Sequence, residues 1–232
     1  MGVIVSCSPV FDEVTEYCYE ESRELIRYAE SKGVRVVDLA KDEAVREKVE
    51  EALRRNPGAL FFHTDHGSPD KAWGNDGRPV LDLENVDLLR DRETVQNNCS
   101  SARILGVEAW RMGCKAYLGY VDTVYFTTDA WEIFKEAFLY PAKRRLDGYS
   151  WKECLELTKK RMTELIDMLV KAGKALAASC LRHDKDCLVC YTPDMPPEET
   201  ACPISRFILK VFGARTLFWL RRLRDWLSGR CI

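Results

Sequence analysis

No stretch of this 232-residue chain stays apolar for the roughly 20 residues that a membrane-spanning helix needs. The closest approach, Ile204 to Leu220, is interrupted by Arg206, Lys210 and Arg215. The opening residues, Met1-Gly2-Val3-Ile4-Val5-Ser6-Cys7, lack the charged start and long apolar centre of a secretory leader. There is no basic block with interleaved aromatics, so nucleic acid is not an expected partner. Net charge is small, −2 from 35 basic and 37 acidic residues, and histidine occurs only three times. No internal repeat or low-complexity tract is present, which excludes solenoids and disordered linkers as the main architecture. With 46% hydrophobic and 31% charged residues, the expectation is an ordinary globular protein of the cytoplasm.

Cysteine, by contrast, is abundant at ten residues. In a reducing compartment most of these would be small buried apolar groups. Intracellular proteins of hyperthermophiles do form disulfides, and a charge-rich segment such as Glu43 to Arg55 would suit such a source.

The pattern along the chain alternates. Val3 to Cys7 reads as a strand. Phe11 to Ser31 reads as a helix, with Val14, Cys18, Ser22, Leu25 and Ala29 on one face and Gly33 beyond its end. A second strand, Val34 to Leu39, precedes a charged helix, Asp42 to Arg55, stopped by Asn56-Pro57-Gly58. Ala59 to Thr64 is a third strand. Such β-α-β-α-β order argues for a parallel sheet with right-handed crossovers. Ser68 to Glu93 is turn-rich, with a local strand expected at Val80 to Leu83 and a short helix at Asn85 to Arg90; long loops between core strands are often functional. Thr94 to Asn98 and Lys115 to Tyr120 are further strands, separated by a helix from Ala102 to Met112. Two long helices follow, Asp129 to Leu146 and Tyr149 to Ala178, then a sixth strand, Cys187 to Tyr191. Thr192 to Pro203 reads as a linker, and Ile204 to Leu227 as a basic, aromatic, amphipathic helical segment.

Two strand ends carry the chemistry. Ala59 to Phe62 runs into His63-Thr64-Asp65-His66-Gly67-Ser68, and Thr94 to Asn97 runs into Asn98-Cys99-Ser100-Ser101, with Cys99 thirty-three residues after His66. The carboxyl ends of strands in an open α/β sheet are where ligands bind. A thiol nucleophile and its base must be close in space, and they are commonly far apart in sequence. A helix starting directly after Cys99, together with a nearby histidine, would favour its thiolate. His63, three residues before His66, falls on the opposite strand face and reads as a packing or cleft-edge group.

These motifs resemble the caspase-like cysteine peptidases, the clan of caspases, legumains, gingipains, clostripain and separases with the distant CHAT-domain proteins. Phe61 to Ser68 is similar to the histidine motif of legumains, and Asn98 to Ser101 to the cysteine motif of separases and CHAT proteins. Lys115 to Tyr120 and Cys187 to Asp194 resemble later strands of the group. The resemblance implies a three-layer α/β fold, a mostly parallel sheet of about six strands with helices on both faces, over residues 1–194. It implies a cysteine endopeptidase acting on polypeptides without a cofactor. Cys99 attacks the scissile carbonyl, His66 protonates the leaving amine, and the N–H groups of Gly67 and Cys99 hold the oxyanion. Asp65 matches an aspartate beside the legumain histidine. Asn97, Asn98 and Ser100 depart from the family's pocket residues. Asp65, Asn97 and Asp122 are candidate substrate contacts, Asp122 favouring a basic P1 side chain slightly. The rival reading is a non-catalytic caspase-like domain that binds proteins.

Cys187-Leu188-Val189-Cys190 has the C-x-x-C spacing of zinc and redox sites, with Cys180, His183 and Cys202 near. On a strand Cys187 and Cys190 face opposite sides, so the expectation is separate thiols or disulfides and no metal. Residues 195–232 form a linker and a helical appendage that would dock on the domain, on a partner or on a membrane surface.

Overall fold

The computed structural model describes residues 2–197. Their order is β1 (Val3–Ser8), α1 (Glu13–Ser31), β2 (Arg35–Ala40), α2 (Arg46–Arg55), β3 (Leu60–Thr64), β4 (Gly67–Ser68), β5 (Lys71–Trp73), β6 (Pro79–Asp82), β7 (Glu93–Asn97), α3 (Leu105–Arg111), β8 (Ala116–Tyr120), α4 (Trp131–Leu146), α5 (Trp151–Lys171), α6 (Ala175–Cys187) and β9 (Leu188–Tyr191). The main sheet has the order β2-β1-β3-β7-β8-β9. Every pairing in it is parallel except β8 with β9. This is the mostly parallel six-stranded α/β architecture that the alternating pattern predicts.

The strands are apolar on both faces because helices cover both. Ile4, Leu60, Phe62, Val95 and Leu118 pack into the layer formed with α1, α4, α5 and α6. Val5, Cys7, Phe61 and Tyr117 pack on the other side, with Val49 and Leu53 of α2 and Leu105 and Ala109 of α3. Phe61 and Phe62 are fully buried, on opposite faces. Truncating either to alanine would cost about 3–5 kcal/mol.

Local signals set the helix limits. Asp12 caps α1: its carboxylate accepts from the Thr15 N–H at 2.8 Å, and the Asp12 N–H donates to the Thr15 hydroxyl at 2.9 Å. Val14, expected on the buried face, is exposed: it stands in the first turn of α1, and burial on that face begins one turn later, at Cys18. The stretch from Tyr149 to Ala178 is two helices rather than one. Gly173, at φ +74°, ends α5 in a backbone conformation that a side chain would disfavour, and α6 begins at Ala175. That helix runs through Cys187, so the last strand starts one residue later than expected, at Leu188. Similarly, the helix expected to begin at Ala102 begins at Leu105.

The turn-rich stretch after β3 folds into its own antiparallel sheet, β4-β5-β6, with the expected local strand pairing at Pro79–Asp82. Thr192 and Met195 form a small bridge just after β9. The compact unit ends at Pro196. The segment from Ile204 to Leu227 lies outside the described residues. Among the described residues, no helix is long and apolar enough to cross a membrane.

Candidate active site

Four loops leave the carboxyl ends of β1, β3, β7 and β8, and the predicted site residues sit on them. His66 follows β3. Its Nε2 is 2.8 Å from Oδ2 of Asp12, the cap of α1, and both side chains are about two-fifths exposed, at 43% and 42%. Phe11 tilts against the His66 ring at 5.9 Å between centroids. Burial opposes ionisation of Asp12, but the Thr15 N–H, the His66 ring and the Thr15 hydroxyl together hold its carboxyl below the ordinary value.

Cys99 follows β7 and is partly buried. Its Sγ accepts from the Val124 N–H at 3.4 Å and lies 3.8 Å from the Val124 carbonyl. The turn it opens is tight: Ser100 has φ +57°, its N–H donates to the Asp122 carbonyl at 2.8 Å, and the Ala102 N–H donates to the Tyr120 carbonyl at 2.9 Å. These two bonds to the β8 end consume the amides that an immediate helix would have aimed at the thiol. A seven-residue helix starting at Leu105 is therefore not the source of thiolate stabilisation expected from the sequence.

The histidine and cysteine loops touch through their backbones. A Cβ placed on Gly67 would lie 2.7 Å from the Asn98 Cβ and 2.8 Å from the Cys99 carbonyl oxygen. Glycine at 67 is thus required for the approach of the two loops, besides any approach to a substrate. Asn98, 1% exposed, stitches the same seam: its Nδ2 donates to His63 Nδ1 at 3.0 Å and reaches the His66 carbonyl at 3.4 Å. His63 in turn uses Nε2–H to donate to the Trp73 carbonyl at 3.0 Å. Burial pushes this histidine down to about 4, outweighing both hydrogen bonds, so it stays neutral and structural. Among the described residues, no hydrogen bond joins the His66 ring to the Cys99 thiol.

Two residues expected at the substrate surface are buried. Asn97 is 7% exposed, and its amide donates to Glu21 of α1 and to the Phe138 carbonyl. Glu21 also accepts from the Thr64 hydroxyl at 2.8 Å; burial pushes its carboxyl up to about 7, against those two donors. Asn97 faces this internal carboxyl because alternation along β7 turns it toward α1. Asp65 is 4% exposed, and neither of its oxygens has a hydrogen-bonding partner among the described residues. Burial pushes Asp65 up to about 8, and the Asp12 carboxylate acts in the same direction. Asp122 is exposed at the end of β8. Its carboxylate accepts from the Thr123 N–H at 2.8 Å and stands beside His183 and Cys187.

The residues that sequence reasoning passed over are Asp12, Asn98 and Val124. Asp12 had a readable signal, an Asp-x-x-Thr cap ahead of a helical stripe. The eight cysteines among the described residues are all free thiols.

No known family model matches this chain, and no curated protein matches it in sequence. Among solved structures, the fold is similar to that in the crystal structure of the Arg specific cysteine proteinase gingipain R. The two chains are 12% identical with a TM-score of 0.54, over 84% of this chain and 46% of the other. The chain therefore spans less than half the length of that proteinase. The likeness carries the fold, a caspase-like α/β sheet flanked by helices.

Proposed function

We propose that this chain is a cysteine endopeptidase in which Cys99 is the nucleophile and His66 the proton carrier. The observation that carries the reading is the seam at Gly67. It joins the only histidine loop and the only cysteine turn that share the carboxyl edge of the parallel strands among the described residues. The thiol proton passes to His66 as Cys99 Sγ bonds to the substrate carbonyl carbon. His66 then returns that proton to the departing amine, and water releases the acid from the thioester. Asp12 orients the imidazole through its 2.8 Å contact. The N–H groups of Gly67 and Cys99 receive the oxyanion; such donors are worth a few kcal/mol in a transition state, roughly 2.7–4 kcal/mol each. Within the group, the histidine motif stands nearest legumains and the cysteine motif nearest separases and CHAT proteins. Exposed Phe11 and Tyr125 border the two loops and suit a polypeptide. The slight preference for a basic P1 residue rests on Asp122, whose carboxylate stands beside His183 and Cys187 rather than at Cys99.

Turnover of fluorogenic peptides differing at P1 (Arg, Lys, Asn, Asp, Leu) tests the proposal against Cys99→Ala. The expected loss on substitution is at least about 10³-fold. A variant that cleaves as well as the parent would end this reading. A second reading, a non-catalytic binding domain, draws on the separate engagement of His66 by Asp12 and of Cys99 by Val124. It expects no turnover on any peptide and a Cys99 thiol inert to iodoacetamide.

A further inference from the structure

The second histidine–cysteine pair lies on α6. His183 and Cys187 are four residues apart, hence on one helix face, and the Cys187 Sγ is 3.4 Å from the His183 Nε2. Asp122 joins them from the loop after β8: one donor atom from each of the three residues lies within 4.8 Å of the other two. We propose that Asp122, His183 and Cys187 bind a divalent transition-metal ion of the zinc class, and that the ion clamps the 121–125 loop to α6.

The spacing fits. A tetrahedral ion with a thiolate at about 2.3 Å and an imidazole nitrogen at about 2.0–2.1 Å separates those two donors by about 3.5 Å, close to the observed 3.4 Å. The donor set of one thiolate, one imidazole and one carboxylate suits zinc or cobalt and is poor for calcium or magnesium. The Thr123 carbonyl is 3.0 Å from the same Nε2. An ion would replace the proton now shared there, with the Thr123 carbonyl or a water as fourth donor. The thiol proton is released to solvent and the imidazole proton moves to Nδ1.

The scaffold is already held for this. The Val121 N–H donates to the Cys187 carbonyl at 3.0 Å, and the Tyr125 N–H donates to Asp184 Oδ1 at 2.9 Å. The Tyr125 ring meets His183 edge-on at 5.2 Å. Loop and helix end are thus in register before any ion arrives, which lowers the ordering cost of binding. The other side of this loop carries the Asp122 carbonyl and Val124, which hold Ser100 and Cys99. A bound ion would therefore stiffen the contact beneath Cys99. The site itself does not depend on Cys99 being a nucleophile.

Cobalt(II) titration of the reduced, metal-stripped full chain tests this. The expected result is one cobalt per chain, with thiolate-to-cobalt charge-transfer absorption and intense tetrahedral visible bands, both displaced by zinc. Cys187→Ser should abolish the charge-transfer band. His183→Gln and the exposed Asp122→Asn should weaken cobalt affinity at least tenfold while leaving circular dichroism unchanged. Cys99→Ala, Cys180→Ser and Cys202→Ser should bind as the parent does. The proposal is overturned by absence of a thiolate band in the parent chain or by a band that survives Cys187→Ser. It is equally overturned by a band lost in Cys99→Ala, which would put the ion at the other pair.

Discussion

His66 and Cys99 are delivered by two different strand ends, whereas His183 and Cys187 stand one turn apart on a single helix. The first pair is open. Each member is partly exposed and has its own partner, Asp12 for the imidazole and Val124 for the thiol. The second pair is closed, with sulfur and nitrogen in contact and the Thr123 carbonyl against the same ring. The same two residue types therefore suit different work. A nucleophile and its proton carrier must leave room for a substrate between them. A thiolate and an imidazole bound to one ion stand about 3.5 Å apart, close to the 3.4 Å of the second pair and too near for a substrate carbonyl to enter. What joins the pairs is the loop from Val121 to Tyr125, which touches Cys99 on one side and α6 on the other.

The sharpest way to break this contrast is to exchange the readouts. Cys99→Ala should remove peptide turnover by at least about 10³-fold and leave cobalt uptake unchanged. Cys187→Ser should remove the thiolate–cobalt band and leave metal-free turnover measurable. If either substitution moved both readouts to the same extent, the two pairs would be one site, and the division between open and closed would fail.

Next in size is the seam on which the open pair depends. Gly67→Ala would drive a methyl group against the Asn98 Cβ at 2.7 Å and the Cys99 carbonyl at 2.8 Å. Both are backbone or near-backbone atoms with little freedom to yield. The expected cost is about 1–3 kcal/mol, read as a fall in melting temperature of several degrees, with a loss of turnover beyond what the residual folded fraction explains. The closed pair should keep its cobalt band in the folded fraction. Unchanged turnover would mean that the contact between the loops is irrelevant to the chemistry.

The two pairs were unequally legible in the sequence, for physical reasons. His66 and Cys99 stand out because buried parallel strands are short apolar runs, and their ends are marked by an abrupt change to polar residues. The closed pair was hidden by an error of secondary structure. Leu188, Val189, Cys190 and Tyr191 favour a strand, and extending that strand back to Cys187 placed Cys187 and Cys190 on opposite faces. In fact α6 continues through Cys187, and the relevant spacing is His-x-x-x-Cys on a helix rather than Cys-x-x-Cys. The stop at Gly173 was missed because the apolar stripe of α5 runs on across it into Ala177 and Ala178. The late start of α3 had no local marker at all. Ser100 adopts a left-handed conformation because its N–H is held by Asp122, a contact from another part of the chain. Asn97 and Asp65 were placed at the surface because they adjoin the motifs, while the layers that cover both faces of the sheet reach far enough to bury Asn97 at the end of β7 and Asp65 just beyond β3.

Asp65 gives a pH test confined to the open pair. Its carboxyl titrates near 8 in the folded chain because burial disfavours its charge, against about 3.9 when unfolded. The folded state then holds a proton that the unfolded state loses as pH rises above about 4. Stability from this group is complete below pH 4, declines between about 4 and 8, and is flat above. The ionisable neighbours from other elements do not reverse that sign: Cys7 and Cys18 stay neutral because burial raises both thiols, and the Asp12 carboxylate pushes Asp65 further up. Asp65→Asn removes the charge that the fold must otherwise bury, and should therefore raise stability at pH 8 relative to pH 4 by at least about 1 kcal/mol, on the scale of about 1.4 kcal/mol per pKa unit. Urea unfolding at the two pH values measures this; a gain of equal size at both would show that packing, not charge, is responsible.

The smallest expected effect separates orientation from chemistry at His66. Asp12 and His66 are each about two-fifths exposed, and exposed ion pairs are worth about 0–1 kcal/mol. Asp12→Asn keeps an oxygen for the Thr15 N–H, so α1 should retain its cap and the melting temperature should barely move. What it removes is the charge beside the imidazole. Turnover should fall about fivefold in kcat/KM, close to 1 kcal/mol of transition-state stabilisation. A purely structural cap would leave kcat/KM unchanged once the folded fraction is allowed for. Because α1 also carries Glu21, bonded to Thr64 and Asn97 at the ends of β3 and β7, the same helix positions the open pair from beside it and from below. Cobalt binding at the closed pair, whose hydrogen bonds run to the 121–125 loop rather than to Asp12, should not respond to Asp12→Asn at all.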